Sequence, residues 1–233
     1  MTLPFSILDW LALALFFMAW IGYAMVVDRV PGIRRRSVIA AMDEHRRSWM
    51  RQVPGRENRI ADISIIGNLM SSTSFLANTC IFILGGLVAL MSGPEVGQRI
   101  FAIMPFAQVP ADPVAWEIRI TLLLLIFIRA FFELTWALRQ FNYTSILVGG
   151  MATARDPHAM LDAEMAAKVV NRGARHFNSG LRAYYFGLAA LAWLIHPLAL
   201  IGASLWVVQE LHRREFRSVV RQAVTARSGA PRG

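Results

Sequence analysis

Four long apolar stretches, separated by polar and arginine-rich segments, set the pattern of this chain. They cover about residues 5–27, 70–91, 116–138 and 183–208. Each is close to the ~20 apolar residues that a helix needs to cross a ~30 Å hydrocarbon core. The pattern therefore predicts an all-α fold, that of a polytopic integral membrane protein in which four transmembrane helices form a bundle.

Two of the connecting segments, about residues 35–55 and 157–180, predict amphipathic helices. In the first, apolar side chains recur at helical spacing while most arginines fall elsewhere, which is typical of a helix that lies in the headgroup plane. In the second, Asp156 can cap the helix and Pro157 can occupy its first turn. We expect both helices at the cytoplasmic face of the membrane.

A single membrane domain is expected over residues 1–212, followed by a basic tail over residues 213–233 whose end is disordered. The first apolar run lacks a basic leading segment and is longer than the apolar part of a signal peptide. We therefore interpret it as an uncleaved first span. No internal repeat divides the chain further.

Arginine supplies almost all of the positive charge, because the chain has a net charge of +9 and a single lysine. The arginines are concentrated in the first and third connecting loops. This distribution favours a cytoplasmic location for both loops and a non-cytoplasmic N-terminus. Because these arginines flank the spans, we expect anionic phospholipid headgroups as their partners and no nucleic acid.

The C-terminal tail does not fit this orientation. Four spans return the C-terminus to the N-terminal side, yet residues 213–233 hold six arginines. Either the tail is translocated despite its charge, or residues 183–208 are not a simple span. His196 and Pro197 lie at the midpoint of that stretch, where a proline kinks a helix. The apolar pattern still favours four spans.

Arg129 and Glu133, inside the third apolar stretch, are the first candidates for chemistry. Their spacing of four places both charges on one helix face, where each can neutralise the other. An intramembrane charge costs at least ~2.5 kcal/mol on insertion scales, so it normally faces a partner or a wet cavity. The pair could relay a proton or an anion, or anchor a substrate carboxylate. It could also be a neutralised structural pair.

Asn78 and Thr79 belong to a stripe on the second span that is polar at one end and made of small residues at the other. Close packing and hydrogen bonding between helices in lipid account for such a stripe. The alternative is a polar cavity in which Asn78 and Thr79 meet Arg129 or Glu133.

A third group of polar side chains gathers at the predicted cytoplasmic ends of the third and fourth spans. Its members are Arg139, Asn142, Tyr143, His176, Asn178 and Arg182. Arginine and amide groups at a membrane face could hold a phosphate or a lipid headgroup. The alternative is the ordinary excess of positive charge on the cytoplasmic side, with hydrogen bonds at helix ends.

No catalytic residue, metal site or cofactor is predicted. The sequence has no CxxC, HExxH or GxSxG pattern, and Cys80 is its one cysteine. Asp9 lies near the outer end of the first span, where we expect it to be hydrated.

Four segments carry a resemblance to a known family: DWLALALFFMAWIGY, RENRIADISIIGNLMSSTSF, FELTWALRQFNY and ARHFNSGLRAYYFGLAALAWLIHP. They resemble the bacterial membrane family catalogued as domain of unknown function 599, and the resemblance covers nearly the whole chain. It implies a four-helix protein of the bacterial inner membrane. That family carries no established activity, so the resemblance transfers no catalytic or binding residue.

Three functions remain open at this point. The first is a non-enzymatic accessory or assembly component that forms a homo-oligomer or binds another membrane protein. The second is a small oligomeric transporter or channel subunit that uses Arg129 and Glu133. The third is a membrane enzyme that acts on phospholipid.

Overall fold

The computed structural model describes residues 5–93 and 112–226, together with positions 95, 97, 99 and 103. Within that part every regular element is helical, which confirms the prediction of an all-α fold. Outside residues 94–111, the α-helices are α1 (Ile7–Arg29), α2 (Pro31–Arg34), α3 (Val38–Gln52), α4 (Ile60–Ser92), α5 (Pro113–Gly149), α6 (Ala159–Leu191), α7 (Pro197–Phe216) and α8 (Val219–Ala226).

Three of these helices, α1, α4 and α5, are long and apolar enough to cross a membrane. In the most apolar windows of α1 and α4 only 17% of the residues are buried inside the protein. Apolar side chains therefore cover the outside of these helices, which in lipid is the favourable arrangement. The chain is an integral membrane protein.

The long helices α1, α4, α5, α6 and α7 run alternately in opposite directions. At one end, the indole of Trp116 in α5 donates to the carbonyl of Leu90 in α4 at 3.4 Å. At the same end, the indole of Trp193, just after α6, donates to Asp9 in the first turn of α1 at 2.8 Å. We call this the Asp9 end. The opposite end, which holds α2, α3, α8 and the connection from α5 to α6, is called the basic end.

Residues 183–208 do not form the single span that the sequence predicts, because α6 ends at Leu191 and α7 begins at Pro197. His196 has an extended backbone (φ −161°, ψ 143°), and its Nδ1 accepts the N–H of Leu198 at 3.0 Å. Proline lacks an N–H donor and disfavours helical geometry in the residue before it. The helix therefore stops, and α7 runs back towards the basic end.

Two contacts hold the end of α7 and helix α8 at the basic end. A carboxylate oxygen of Glu215, near the end of α7, accepts the N–H of Ile39 in the first turn of α3 at 3.0 Å. The His45 ring of α3 lies 3.2 Å from the carbonyl oxygen of Val224 in α8. The start of the basic tail therefore lies beside the first arginine-rich loop rather than at the Asp9 end.

The second predicted amphipathic helix, about residues 157–180, is only the first part of α6 (Ala159–Leu191). Asp156 does not cap this helix, because its carboxylate accepts the N–H of His158 in the turn that precedes it. The first predicted amphipathic helix, residues 35–55, contains α3.

Three glycines spaced by seven residues allow α6 to pack closely along α5. A Cβ atom on Gly173, Gly180 or Gly187 would come within 2.8 Å of an aromatic or leucine side chain of α5. The neighbour of Gly187, for example, is Phe127. Small residues at such spacing let helix backbones approach in a membrane protein.

Candidate anion-binding site

A cavity of about 390 Å³ lies at the basic end, between the end of α1, α2, the start of α3, α5 and α6. We call it the basic cavity. Side chains with positive charge or hydrogen-bond donors make up most of its lining: Arg34, Ser37, Arg172, Arg175, His176, Asn178, Ser179 and Arg182. Its two carboxylates are Asp28 and Glu133.

Helix α6 supplies one whole side of the basic cavity. Arg172, Arg175, Ser179 and Arg182 recur at spacings of three and four, so they lie along one face of the helix. The glycines described above hold the opposite part of α6 against α5. A rigid helix thus presents three guanidinium groups in a row.

Both carboxylates of the cavity are already bound by protein groups. Asp28, at the end of α1, accepts two hydrogen bonds from the guanidinium of Arg182, one on each oxygen. Glu133 accepts from His176 at 2.8 Å and lies 3.3 Å from Arg129. Asp28 therefore neutralises Arg182 and Glu133 neutralises Arg129, so neither carboxylate pairs with the other arginines of the cavity.

Three arginines keep donors available to the cavity. Arg172 forms no ion pair within the described part of the chain. Arg34 and Arg175 approach one carboxylate oxygen of Asp43 only at 3.7 and 3.9 Å, and the other oxygen accepts from Arg46 at 2.7 Å. Guanidinium groups bind phosphate oxygens in a forked geometry, so three of them around one space suit a phosphate-bearing anion.

Arg46 helps to hold the helices around this cavity in place. Its Nε donates to the amide oxygen of Asn171 in α6 at 2.7 Å, and the amide nitrogen of Asn171 donates to the carbonyl of Asp43 at 3.0 Å. Burial lowers the pKa of Arg46, and the hydrogen bond to Asp43 opposes that shift. These bonds attach the middle of α3 to α6 beside the cavity.

The predicted pair Arg129 and Glu133 is present, but it is not an isolated pair at the centre of a span. Arg129 is 56% exposed on the outside of α5, whereas Glu133 is 19% exposed and turns towards α6. The carboxylate is shared between Arg129 and His176 at the basic end. Only Glu133 lines the basic cavity.

The polar cavity predicted from Asn78 and Thr79 does not occur among the described residues. Asn78 is exposed on α4, and the hydroxyl of Thr79 donates to the carbonyl of Phe75 in the same helix at 2.8 Å. The shallow groove at Arg129 and Glu133 contains neither of them.

The predicted cytoplasmic cluster divides into two groups. His176, Asn178 and Arg182 line the basic cavity. Arg139, Asn142 and Tyr143 do not, because they lie on exposed parts of α5. There the guanidinium of Arg139 donates to the Tyr143 hydroxyl and lies 5.3 Å from the ring centroid of Trp136.

A buried cluster at the Asp9 end was missed by the sequence analysis. Asp9 is not hydrated as expected: it is 6% exposed and accepts from Arg119 and from the indole of Trp193, each at 2.8 Å. A second nitrogen of Arg119 donates to the carbonyl of Trp193 at 2.8 Å. The cluster joins α1, α5 and the end of α6. The positions of Asp9 and Arg119 within apolar stretches were the signals for it in the sequence.

Within the described residues, no group of three or more His, Cys, Asp and Glu side chains is close enough to hold a metal ion.

The model of the family DUF599, whose description is "protein of unknown function", matches residues 11–220. No curated protein and no solved structure matches the chain.

Proposed function

The chain belongs to DUF599, and we propose that it is a non-enzymatic accessory or assembly component of a membrane which binds a phosphate-bearing anion in the basic cavity. One observation carries the proposal: Arg34, Arg172 and Arg175 surround one space, while both carboxylates of that space are bound by other groups. The source of the anion is either a lipid headgroup or a soluble phosphate.

We further propose five membrane crossings, with the basic end in the cytoplasm of a bacterial inner membrane. Helix α1 (23 residues) is about 34 Å long, enough for the hydrocarbon core. Helix α7 (20 residues) is about 30 Å long, with its apolar side chains nearer the Asp9 end and its charged side chains, from Glu210 onwards, at the basic end. In this arrangement α3 and the first half of α6 lie at the cytoplasmic face. The arginine-rich loops and the basic tail then share the side that the positive-inside rule prefers.

Anion binding can be measured on the purified protein as the change in thermal stability with added inorganic phosphate. Arg172→Gln and Arg175→Gln should each weaken binding about tenfold or more, because a charge-assisted hydrogen bond contributes about 1.5–3 kcal/mol. Arg213→Gln removes the same charge from an exposed arginine that is hydrogen-bonded to Glu210, and should leave binding unchanged. Equal losses in all three variants, or no binding by the wild type, would contradict the proposal.

The accessory role predicts a stoichiometric membrane partner or a homo-oligomer. Purification in mild detergent, followed by mass spectrometry of the intact assembly, measures both. A monomer with no protein partner under these conditions would argue against this part of the proposal.

The pair Glu133 and His176 favours a second candidate, an enzyme that acts on phospholipid. A histidine oriented by a carboxylate beside bound phosphate is an arrangement used in general acid–base catalysis. Release of phosphate or headgroup from phospholipid vesicles, lost in His176→Gln but not in Arg213→Gln, would support this candidate. Binding without turnover would support the accessory role.

A further inference from the structure

A second cavity, of about 400 Å³, lies beneath α3 and next to the basic cavity. We call it the apolar cavity. Most of its lining is hydrocarbon, contributed by four helices and including Met42, Trp49, Leu69, Phe141, Ala174 and Phe177. The cavity therefore offers little to a small hydrophilic anion and much to a hydrocarbon chain.

The two cavities adjoin each other. Ile39, in the first turn of α3, and Asn178, on α6, belong to the lining of both. A ligand that extends past these two side chains would pass from guanidinium groups directly to apolar side chains.

Helix α3 covers the apolar cavity and is bound to other helices at three points along its length. Its first turn is bound by Glu215 of α7, and its middle is bound through Arg46 to Asn171 of α6. Near its end, the indole of Trp49 donates to Asp62 of α4 at 2.7 Å. Because α3 is bound to three different helices, the cavity is a feature of the assembled fold rather than of one flexible element.

We infer that the anion of the basic cavity is the head of a phosphorylated amphiphile whose hydrocarbon chain occupies the apolar cavity. The inference rests on the proposed anion binding and names its ligand class. Each methylene group removed from water strengthens binding about fourfold, so the hydrocarbon chain supplies affinity that a free phosphate lacks. The charge on the head is matched by Arg34, Arg172 and Arg175.

The test compares two probes on the purified wild-type protein by native mass spectrometry. The first is lysophosphatidate, offered with acyl chains of increasing length, and the second is glycerol 3-phosphate, which has the same head without a chain. We expect one lysophosphatidate per protein molecule, bound at least tenfold more tightly than glycerol 3-phosphate. Its affinity should rise with the length of the acyl chain.

Substitutions in the protein test where the hydrocarbon chain of the ligand lies. Ala174→Leu adds bulk to the apolar cavity and should weaken lysophosphatidate binding about tenfold while leaving glycerol 3-phosphate binding unchanged. Ala203→Leu, in the groove between α6 and α7, is the matched control and should change neither. The chain-length series on the wild type needs no variant, so it remains decisive if Ala174→Leu fails to fold.

The outcomes separate the inference from the proposed function. Equal affinity for both probes, with Arg172→Gln weakening both, would overturn the amphiphile and leave anion binding intact. No binding of either probe would overturn both. Chain-dependent binding that Ala203→Leu weakens and Ala174→Leu does not would place the chain elsewhere and overturn the inference.

Discussion

Glu133 of α5 and His176 of α6 lie 2.8 Å apart, although 43 residues separate them in the chain. The contact joins the middle of α5 to the amphipathic part of α6. It also explains why Glu133, but not Arg129, belongs to the basic cavity.

The two members of the predicted pair should therefore differ in their effect on stability. Glu133→Leu removes the acceptor of the bond to His176 and should lower the free energy of unfolding by about 1–2 kcal/mol. Arg129→Gln removes an exposed charge and should cost less than about 1 kcal/mol. Unfolding midpoints in detergent measure both. Equal losses would show that Arg129 contributes as much as the bond between the helices.

The free energy of unfolding should be far more sensitive to substitutions in the cluster at the Asp9 end. Asp9→Asn or Arg119→Met leaves one buried charge without its partner and should cost about 3–5 kcal/mol. The double variant should be more stable than the worse single variant, because no charge remains unpaired. Arg47→Gln, which removes an exposed partner of Glu44, is the control and should cost less than about 1 kcal/mol. A double variant with simply additive losses would contradict the coupling of Asp9 and Arg119.

The close packing of α5 and α6 makes a prediction about glycine. In Gly187→Ala the new methyl group would meet Phe127 at 2.8 Å, and the strain should lower stability by about 1–3 kcal/mol. Gly202→Ala is the matched control, because a Cβ atom at this position of α7 has no neighbour within 4 Å. Alanine also has the better helix propensity, so the control should be neutral or stabilising. Similar losses in both variants would show that the close approach is unimportant.

The reversal at His196 and Pro197 predicts the side on which the C-terminus lies. Single cysteines at Ser92 and Val219, in a Cys80→Ala background, can be labelled in intact cells with a maleimide that does not cross the membrane. Ser92→Cys, at the Asp9 end, should react, and Val219→Cys, at the basic end, should react only after the cells are opened. If both cysteines were labelled from outside, Val219 would lie on the same side as the Asp9 end, and the number of crossings would be even, as in the four-span prediction.

The apolar pattern was sufficient to predict an all-α integral membrane protein and to locate α1, α4 and α5. It could not resolve residues 183–208, because the hydropathy of that stretch is the same for one span as for two helices that meet at a proline. Pro197 was visible in the sequence, but the direction of α7 depends on contacts with α1 and α3. The family prediction was confirmed by the match over residues 11–220.

The candidate site was predictable only in part. His176, Asn178 and Arg182 were identified from their position beside a span. Arg34, Arg172 and Arg175 were not, because α2 and α6 meet through tertiary contacts that the sequence pattern does not report. The partnership of Asp9 and Arg119 links residues 110 positions apart, and neither local spacing nor composition reports such a contact.

Helix α1 lies far before α7 in the chain, yet it packs chiefly against that helix. Trp193, the indole partner of Asp9, follows it by 184 residues. During biogenesis α1 therefore enters the bilayer long before its protein neighbours exist, and its inner face meets lipid in the meantime. A chain that stops before α7 would leave exposed to lipid the face of α1 that α7 covers, although α1 would keep its contacts with Arg119 and Arg182.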